Sequence, residues 1–92
     1  MSKTKIKISR ILFDENAWED YQYWLSHDIK ILKRINELIK DIMQNPFTGI
    51  GKPEPLKHAL KGYWSRRITH EHRIVYKVAG ETLFIAQLRY HY

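Results

Sequence analysis

The sequence predicts an α+β domain of order β-α-α-β-β-β, in which a helical hairpin covers one face of a mostly antiparallel sheet. Three observations carry that expectation. A β-branched run stands near the start, two segments of helical periodicity follow with Asp28 between them, and three strand-like runs come after a loop rich in proline and glycine.

Lys5 to Phe13 alternates imperfectly, with Ile6 and Ile8 followed by Arg10 against Ile11-Leu12-Phe13, and its β-branched content predicts the first strand. Met1 to Thr4 is expected to fray. Asp14 is placed to cap a helix whose early carboxylates, Glu15 and Glu19, suit the dipole. Ala17, Trp18, Tyr21, Trp24 and Leu25 recur at spacings of three and four and make one apolar face. Ser26-His27-Asp28 interrupts that face and supplies a new cap. Ile31, Leu32, Ile35, Leu38, Ile39, Ile42 and Met43 then give the strongest helical periodicity of the chain, ending near Gln44. So short a connection predicts an antiparallel hairpin.

Asn45 to Pro55 holds all three prolines and two of the four glycines, which predicts a loop. It is no interdomain linker, because neither flank is long enough to fold alone, and residues 1–92 are expected to form one domain. Tyr63 to Thr69, His72 to Val78 and Thr82 to Tyr90 predict three strands, joined by breaks short enough for hairpins. Alternation puts Ser65, Arg67 and Thr69 on one side of their strand, and Arg73, Val75 and Lys77 together on the next. With the helices on one sheet face, the other face is expected to be open. A hairpin that brings Arg67 and Arg73 to that face would make it a cationic surface fit for a phosphate.

The chain has no cysteine, so disulfides, thiolate metal sites and cysteine nucleophiles are excluded and packing must hold the fold. Its longest apolar run, Leu83-Phe84-Ile85-Ala86, is far short of a membrane span, and no stretch of signal-peptide type opens it. A soluble, unprocessed protein without a membrane role is expected, and a reducing cytoplasm is compatible. The net charge of +6 is uneven: residues 1–51 carry eight basic and seven acidic side chains, residues 52–92 eight and three. Four of the five histidines lie in that second part, with Tyr63, Trp64, Tyr76, Tyr90 and Tyr92. Such a half suits a polyanion, nucleic acid foremost, although a basic face kept for solubility accounts for the composition equally well.

Several chemistries lack their motifs. There is no His-Glu-x-x-His, no clustered carboxylate set, no phosphate loop at Gly49-Ile50-Gly51-Lys52 and no nucleophile elbow. His70-Glu71-His72 has a spacing seen in zinc sites, but a pair of surface histidines is the preferred reading, and neither a metal nor a cofactor is expected. What remains is acid–base chemistry at a phosphate. Cutting RNA so requires a base for the 2′-hydroxyl proton, fixed positive charge at the phosphorus and an acid for the departing 5′-oxygen. Glu54, held between Pro53 and Pro55, could be the base, or simply a solvent-facing loop carboxylate. Lys57, Arg67 and Arg73 could hold the phosphate, or line a solvated sheet edge. His91 could be the acid and Tyr90 or Tyr92 could stack on a base, unless the end of the chain merely frays.

Pro46-Phe47, Gly51-Lys52-Pro53-Glu54-Pro55-Leu56-Lys57-His58, Tyr63-Trp64-Ser65-Arg66-Arg67-Ile68-Thr69, Glu71-His72-Arg73-Ile74-Val75-Tyr76 and Arg89-Tyr90-His91-Tyr92 together closely resemble the YoeB (Txe) toxins of bacterial type II toxin–antitoxin systems, within the RelE/ParE superfamily. The likeness runs from about Ile8 to Tyr92, and includes Trp18-Glu19-Asp20-Tyr21 and Ile35 to Asp41. The resemblance implies a RelE-like fold and a ribosome-dependent endonuclease that cuts mRNA in the A site. Position by position it makes Glu54 the general base, His91 the general acid, Arg73 the transition-state cation and Tyr92 the residue that positions the scissile nucleotide. Lys57 and Arg67 match further basic residues around the phosphate, with Lys52 and Tyr90 as further RNA contacts. It also implies a homodimer, neutralised by a YefM (Phd)-type antitoxin that carries any reading of operator DNA. The lysine-rich residues 1–7 extend beyond the family pattern. Two other functions stay open: a ribosome-binding inhibitor without catalysis, and a gyrase poison of ParE type.

Overall fold

Asp14 caps the first helix as its spacing demands, its Oδ1 accepting from the Ala17 N–H at 2.9 Å. Asp28 does the same for the second helix, accepting from the N–H groups of Lys30 and Ile31. The computed structural model, which describes residues 7–90, runs β1 (Arg10–Phe13), α1 (Glu15–His27), α2 (Ile29–Gln44), β2 (Glu54–Pro55), a single 3-10 turn at His58–Leu60, β3 (Trp64–Arg67), β4 (Arg73–Ala79) and β5 (Thr82–Gln87). Tyr21 Oη donates to Asn36 Oδ1 across the helical pair, seven residues before Asp28 and eight after it, as an antiparallel hairpin requires.

The five strands form one sheet of order β1-β5-β4-β3-β2. β1 lies parallel to β5, and the other neighbours are antiparallel. Leu32, Ile35, Leu38, Ile39 and Ile42 of α2 pack with Ile74, Tyr76, Leu83 and Ile85 of the sheet, and Ala17 and Trp24 of α1 complete the core. The fold is therefore the predicted α+β arrangement, with a mixed sheet.

The differences from expectation have local causes. The first strand begins only at Arg10, because the N–H groups of Ser9 and Arg10 both turn to the Glu81 carbonyl while Ile8 tucks into the core. The lysine-rich extension lies outside the described residues except for Lys7. On α1, Trp18 and Leu25 are half exposed, and a carboxylate, Asp20, is buried in their stead. Glu54 and Pro55, expected in the loop, pair with Ser65 and Trp64 as a short edge strand. The strand ahead of Thr69 stops at Arg67, since Ile68 and Thr69 bond to the His72 carbonyl and form the hairpin turn. The last strand ends at Gln87 because α1 and His72 take the backbone of Leu88 and Tyr90 out of the sheet.

Arg66 is fully buried in the core face of β3. All five of its donors are used: Nη1 to Asp41 Oδ2 at 2.6 Å and Ile50 O at 3.1 Å, Nη2 to Asn45 O and Thr48 O, and Nε to Tyr76 Oη. Tyr76 Oη in turn donates to Pro46 O at 2.7 Å. Burial pushes the Tyr76 phenol above its ordinary value of 10.0, which keeps that proton in place. One guanidinium thus ties residues 45–50 to the sheet. Gly51 follows at φ 80°, its carbonyl taking the Arg67 N–H at 2.7 Å. A Cβ there would stand 2.8 Å from Leu38 Cδ2 of α2 and 3.1 Å from the Arg67 carbonyl of β3, so together with its positive φ the position favours glycine where the loop passes between helix and sheet.

The bond from Arg66 also holds the Asp41 carboxyl below its ordinary value of 3.8. A depressed native pKa contributes stability that is present above the unfolded value and lost as pH falls through the native one. Denaturation followed from about pH 5 down to about pH 2 should therefore show stability falling below the ordinary carboxylate range. Asp41→Asn should flatten that part of the profile; an unchanged profile would show that the pair contributes nothing to it.

Candidate active site

The face of the sheet away from the helices is fixed by register. Glu54 on β2 stands opposite Ser65 and Ser65 opposite Val75, which makes one row across three strands; at Val75 a bulge shifts the register toward β5. Arg67 stands directly opposite Arg73 in the next row, two residues along the same face. The intervening Trp64, Arg66, Ile74 and Tyr76 point to the core. Glu54 and Arg67 are diagonal neighbours across the β2–β3 pair, a relation that separates Cα atoms by roughly 7–8 Å. The expected meeting of Arg67 and Arg73 on one face is thus realised.

Like charges set directly opposite each other destabilise a strand pair unless an anion lies between them. Arg67 is exposed and Arg73 half buried. Arg73 Nη1 is buried with no hydrogen-bond partner among the described residues, and neither Arg67, Arg73, Lys57 nor Glu54 forms an ion pair there. A buried guanidinium nitrogen without an acceptor is costly, and a phosphate oxygen is the acceptor its fork fits best. The edge strand therefore sets a carboxylate diagonal to Arg67, with Arg73 on the next strand, none of the three in an ion pair among the described residues. A shallow cleft lined by Glu54, Pro55, Leu56, Lys57, His58 and Leu60 continues from it. Lys57 is exposed and precedes the 3-10 turn, and Lys52 is exposed at φ 54° in the loop before β2.

His91 and Tyr92 lie outside the described residues, but the approach to them is closely held. Leu88 N–H donates to Asp20 Oδ2 and Trp24 Nε1 donates to Leu88 O, each at 2.9 Å. Burial raises the Asp20 carboxyl above its usual 3.8, opposed by the Leu88 bond and the nearby Arg89 charge. The Arg89 guanidinium lies 3.5 Å over the Tyr23 ring and also faces Tyr90. Arg73 N–H donates to Tyr90 O at 3.0 Å, so the Tyr90 carbonyl is bonded to the backbone of the arginine whose Nη1 has no partner among the described residues. Tyr90 as a residue is 57% exposed, its ring facing the Arg89 guanidinium and the His72 imidazole.

His72 corrects the sequence reading. It is buried, not at the surface, and its Nδ1 accepts the Tyr90 N–H at 2.7 Å. His70 and Glu71 fall in the exposed turn before β4, and among the described residues no cluster of three His, Asp or Glu is arranged to hold a metal. Sequence reasoning missed Arg66 and Asp20 altogether. Strand alternation places Arg66 between the inward Trp64 and Ile68, a signal that could have found it. Asp20, set between Ala17 and Trp24 on the helix, offered the same kind of signal.

A family model described as a YoeB-like toxin of bacterial type II toxin-antitoxin systems matches residues 13–92. Toxin YoeB of Escherichia coli K12 is 58% identical over 83 residues, covering 90% of this chain and 99% of that protein. Among solved structures, a YoeB dimer from Staphylococcus aureus superposes with a TM-score of 0.85 at 52% identity, covering 90% of this chain and 97% of that one. A chain of the heterotetrameric YoeB-YefM toxin-antitoxin complex from the same organism gives 0.85 at 50% identity, covering 94% and 99%.

Proposed function

This chain belongs to the family of YoeB toxins of bacterial type II toxin–antitoxin systems, and from that premise we propose that it is an endoribonuclease which cuts ribosome-bound mRNA in the A site by acid–base catalysis. The observation that carries the proposal is the opposed Arg67 and Arg73, unneutralised by any described carboxylate, on the face that also bears Glu54. In this mechanism Glu54 takes the proton of the 2′-hydroxyl, whose oxygen attacks the phosphorus. Arg73 holds the charge that gathers on the phosphate oxygens, supported by Arg67 and Lys57. His91 gives a proton to the departing 5′-oxygen, leaving a 2′,3′-cyclic phosphate and a 5′-hydroxyl. Tyr92 seats the scissile nucleotide, while Tyr90 and Lys52 contact flanking RNA. Every step is a proton transfer or a charge contact made by side chains, and none calls for a metal.

The neighbours support the partners of this reading. The YoeB-YefM complex and the YoeB dimer favour a homodimer neutralised by a YefM (Phd)-type antitoxin, through which the pair reaches operator DNA. The site of action is the cytoplasm, where the ribosomes are; no helix of the described residues is long and apolar enough to cross a membrane. A ribosome-blocking protein without catalysis, or a gyrase poison, has no use for a carboxylate beside a phosphate site, since its charge weakens the hold on a polyanion.

Arg73→Ala should lower cleavage of ribosome-bound message by roughly a hundredfold or more, and Arg73→Lys should recover only part of it, because a point charge lacks the two-pronged contact. Single-turnover cleavage measures both. Wild-type rates in Arg73→Ala would remove the arginine from the reaction.

A further inference from the structure

Tyr90 is the last described residue, and its backbone sits at φ 62°, in the left-handed region that a bulky side chain rarely occupies. Both of its backbone groups are held, by two consecutive residues. His72 Nδ1 accepts its N–H at 2.7 Å, and the Arg73 N–H donates to its carbonyl at 3.0 Å; Gln87 Nε2 adds a second, longer bond to that carbonyl. A peptide N–H can only donate, so the His72 nitrogen facing it must be the bare one, and the ring proton must sit on Nε2. The ring itself is fixed edge-on against Trp24, 4.8 Å between centroids, and tilted against Tyr90. The Trp24 indole in turn holds the Leu88 carbonyl.

We propose that His72, as the neutral Nε2–H tautomer, is a positioning residue that fixes the backbone of Tyr90 beside that of Arg73. The inference rests on the reading of His91 as the acid, since that residue follows Tyr90 directly in the sequence. A proton on Nδ1 would replace the acceptor by a donor facing the Tyr90 N–H and release the clasp. The charged groups near the ring are Glu71, whose Oε1 stands 3.8 Å from Nε2, and Asp20 of α1, and Arg73 follows His72 in the chain. Glu71 beside Nε2 favours the tautomer that the clasp needs.

The direct test is long-range proton–nitrogen NMR on the wild-type protein, which reads the tautomer of His72 without altering the fold. An unprotonated Nδ1 and a slowly exchanging Tyr90 amide are expected. A proton on Nδ1 near neutral pH would overturn the proposal, whether or not the protein cuts RNA. Two variants separate positioning from packing. His72→Asn keeps an acceptor near the Nδ1 position, whereas His72→Gln moves it toward Nε2. The glutamine variant should exchange its Tyr90 amide faster and lose roughly tenfold to a hundredfold in kcat with KM for ribosomes unchanged, and the asparagine variant should regain much of that loss. Equal behaviour of the two variants, or a loss confined to KM, would reduce His72 to a packing residue and sink the inference. Should the wild type cut nothing at all, the exchange and tautomer measurements still decide whether the clasp exists.

Discussion

Arg66→Leu is expected to lower the free energy of unfolding by about 3–5 kcal/mol, the range for breaking a buried charged network by removing one partner. Five hydrogen bonds end on this guanidinium, and its loss would take the donor from the carbonyls of Asn45, Thr48 and Ile50 and leave the Asp41 carboxylate with the Ile50 N–H. Leucine fills part of the volume but satisfies none of them. The neighbouring Arg67→Leu is the control: its side chain is exposed and makes no ion pair among the described residues, so its effect on stability should stay within about 0.5 kcal/mol. Urea titration of both variants measures the difference. Comparable midpoints would mean that the loop carrying Lys52 and Glu54 toward the sheet is held by something other than Arg66.

Glu54→Gln and His91→Gln should each leave folding intact and reduce cleavage by roughly a hundredfold or more, the usual contribution of a proton-transfer group. Glutamine keeps the size and hydrogen-bonding outline of glutamate and gives up its capacity to take a proton. Glu54 is exposed on a two-residue edge strand, so the substitution disturbs no packing. The loss should appear in kcat, because neither change removes the arginines that hold the phosphate. Single-turnover rates on ribosome-bound message, with circular dichroism as the check on folding, decide the matter. Undiminished cleavage in both variants would remove the assigned roles while leaving the phosphate site standing.

Elements set by short-range chemistry could be read from the sequence. Asp14 and Asp28 declare the helix starts, the spacing from Ile31 to Met43 gives the buried stripe of α2, and alternation puts Arg67 and Arg73 on one face. What could not be read depends on contacts between distant residues. Leu88 to Tyr90 look like the end of a strand, and only the bonds from Asp20, Trp24 and His72 show why the sheet stops at Gln87. Glu54 reads as a loop carboxylate because its pairing with Ser65 spans a turn with no hairpin signal. Arg66 resembles its exposed neighbour Arg67 in every respect but the parity of its position. The arginine face is therefore foreseeable, whereas the clasp on the tail belongs to tertiary packing.

The central claim is that this face breaks a phosphodiester bond in a message seated on the ribosome. Primer extension on mRNA held by bacterial ribosomes, with free mRNA alongside, tests it most directly when wild type is compared with Glu54→Gln and His91→Gln. A new 5′ end inside the A-site codon is expected with the wild-type protein, and is expected to be lost in both variants. Arrest of translation with every message intact would contradict it, and would leave a protein that grips the phosphate backbone without cutting it.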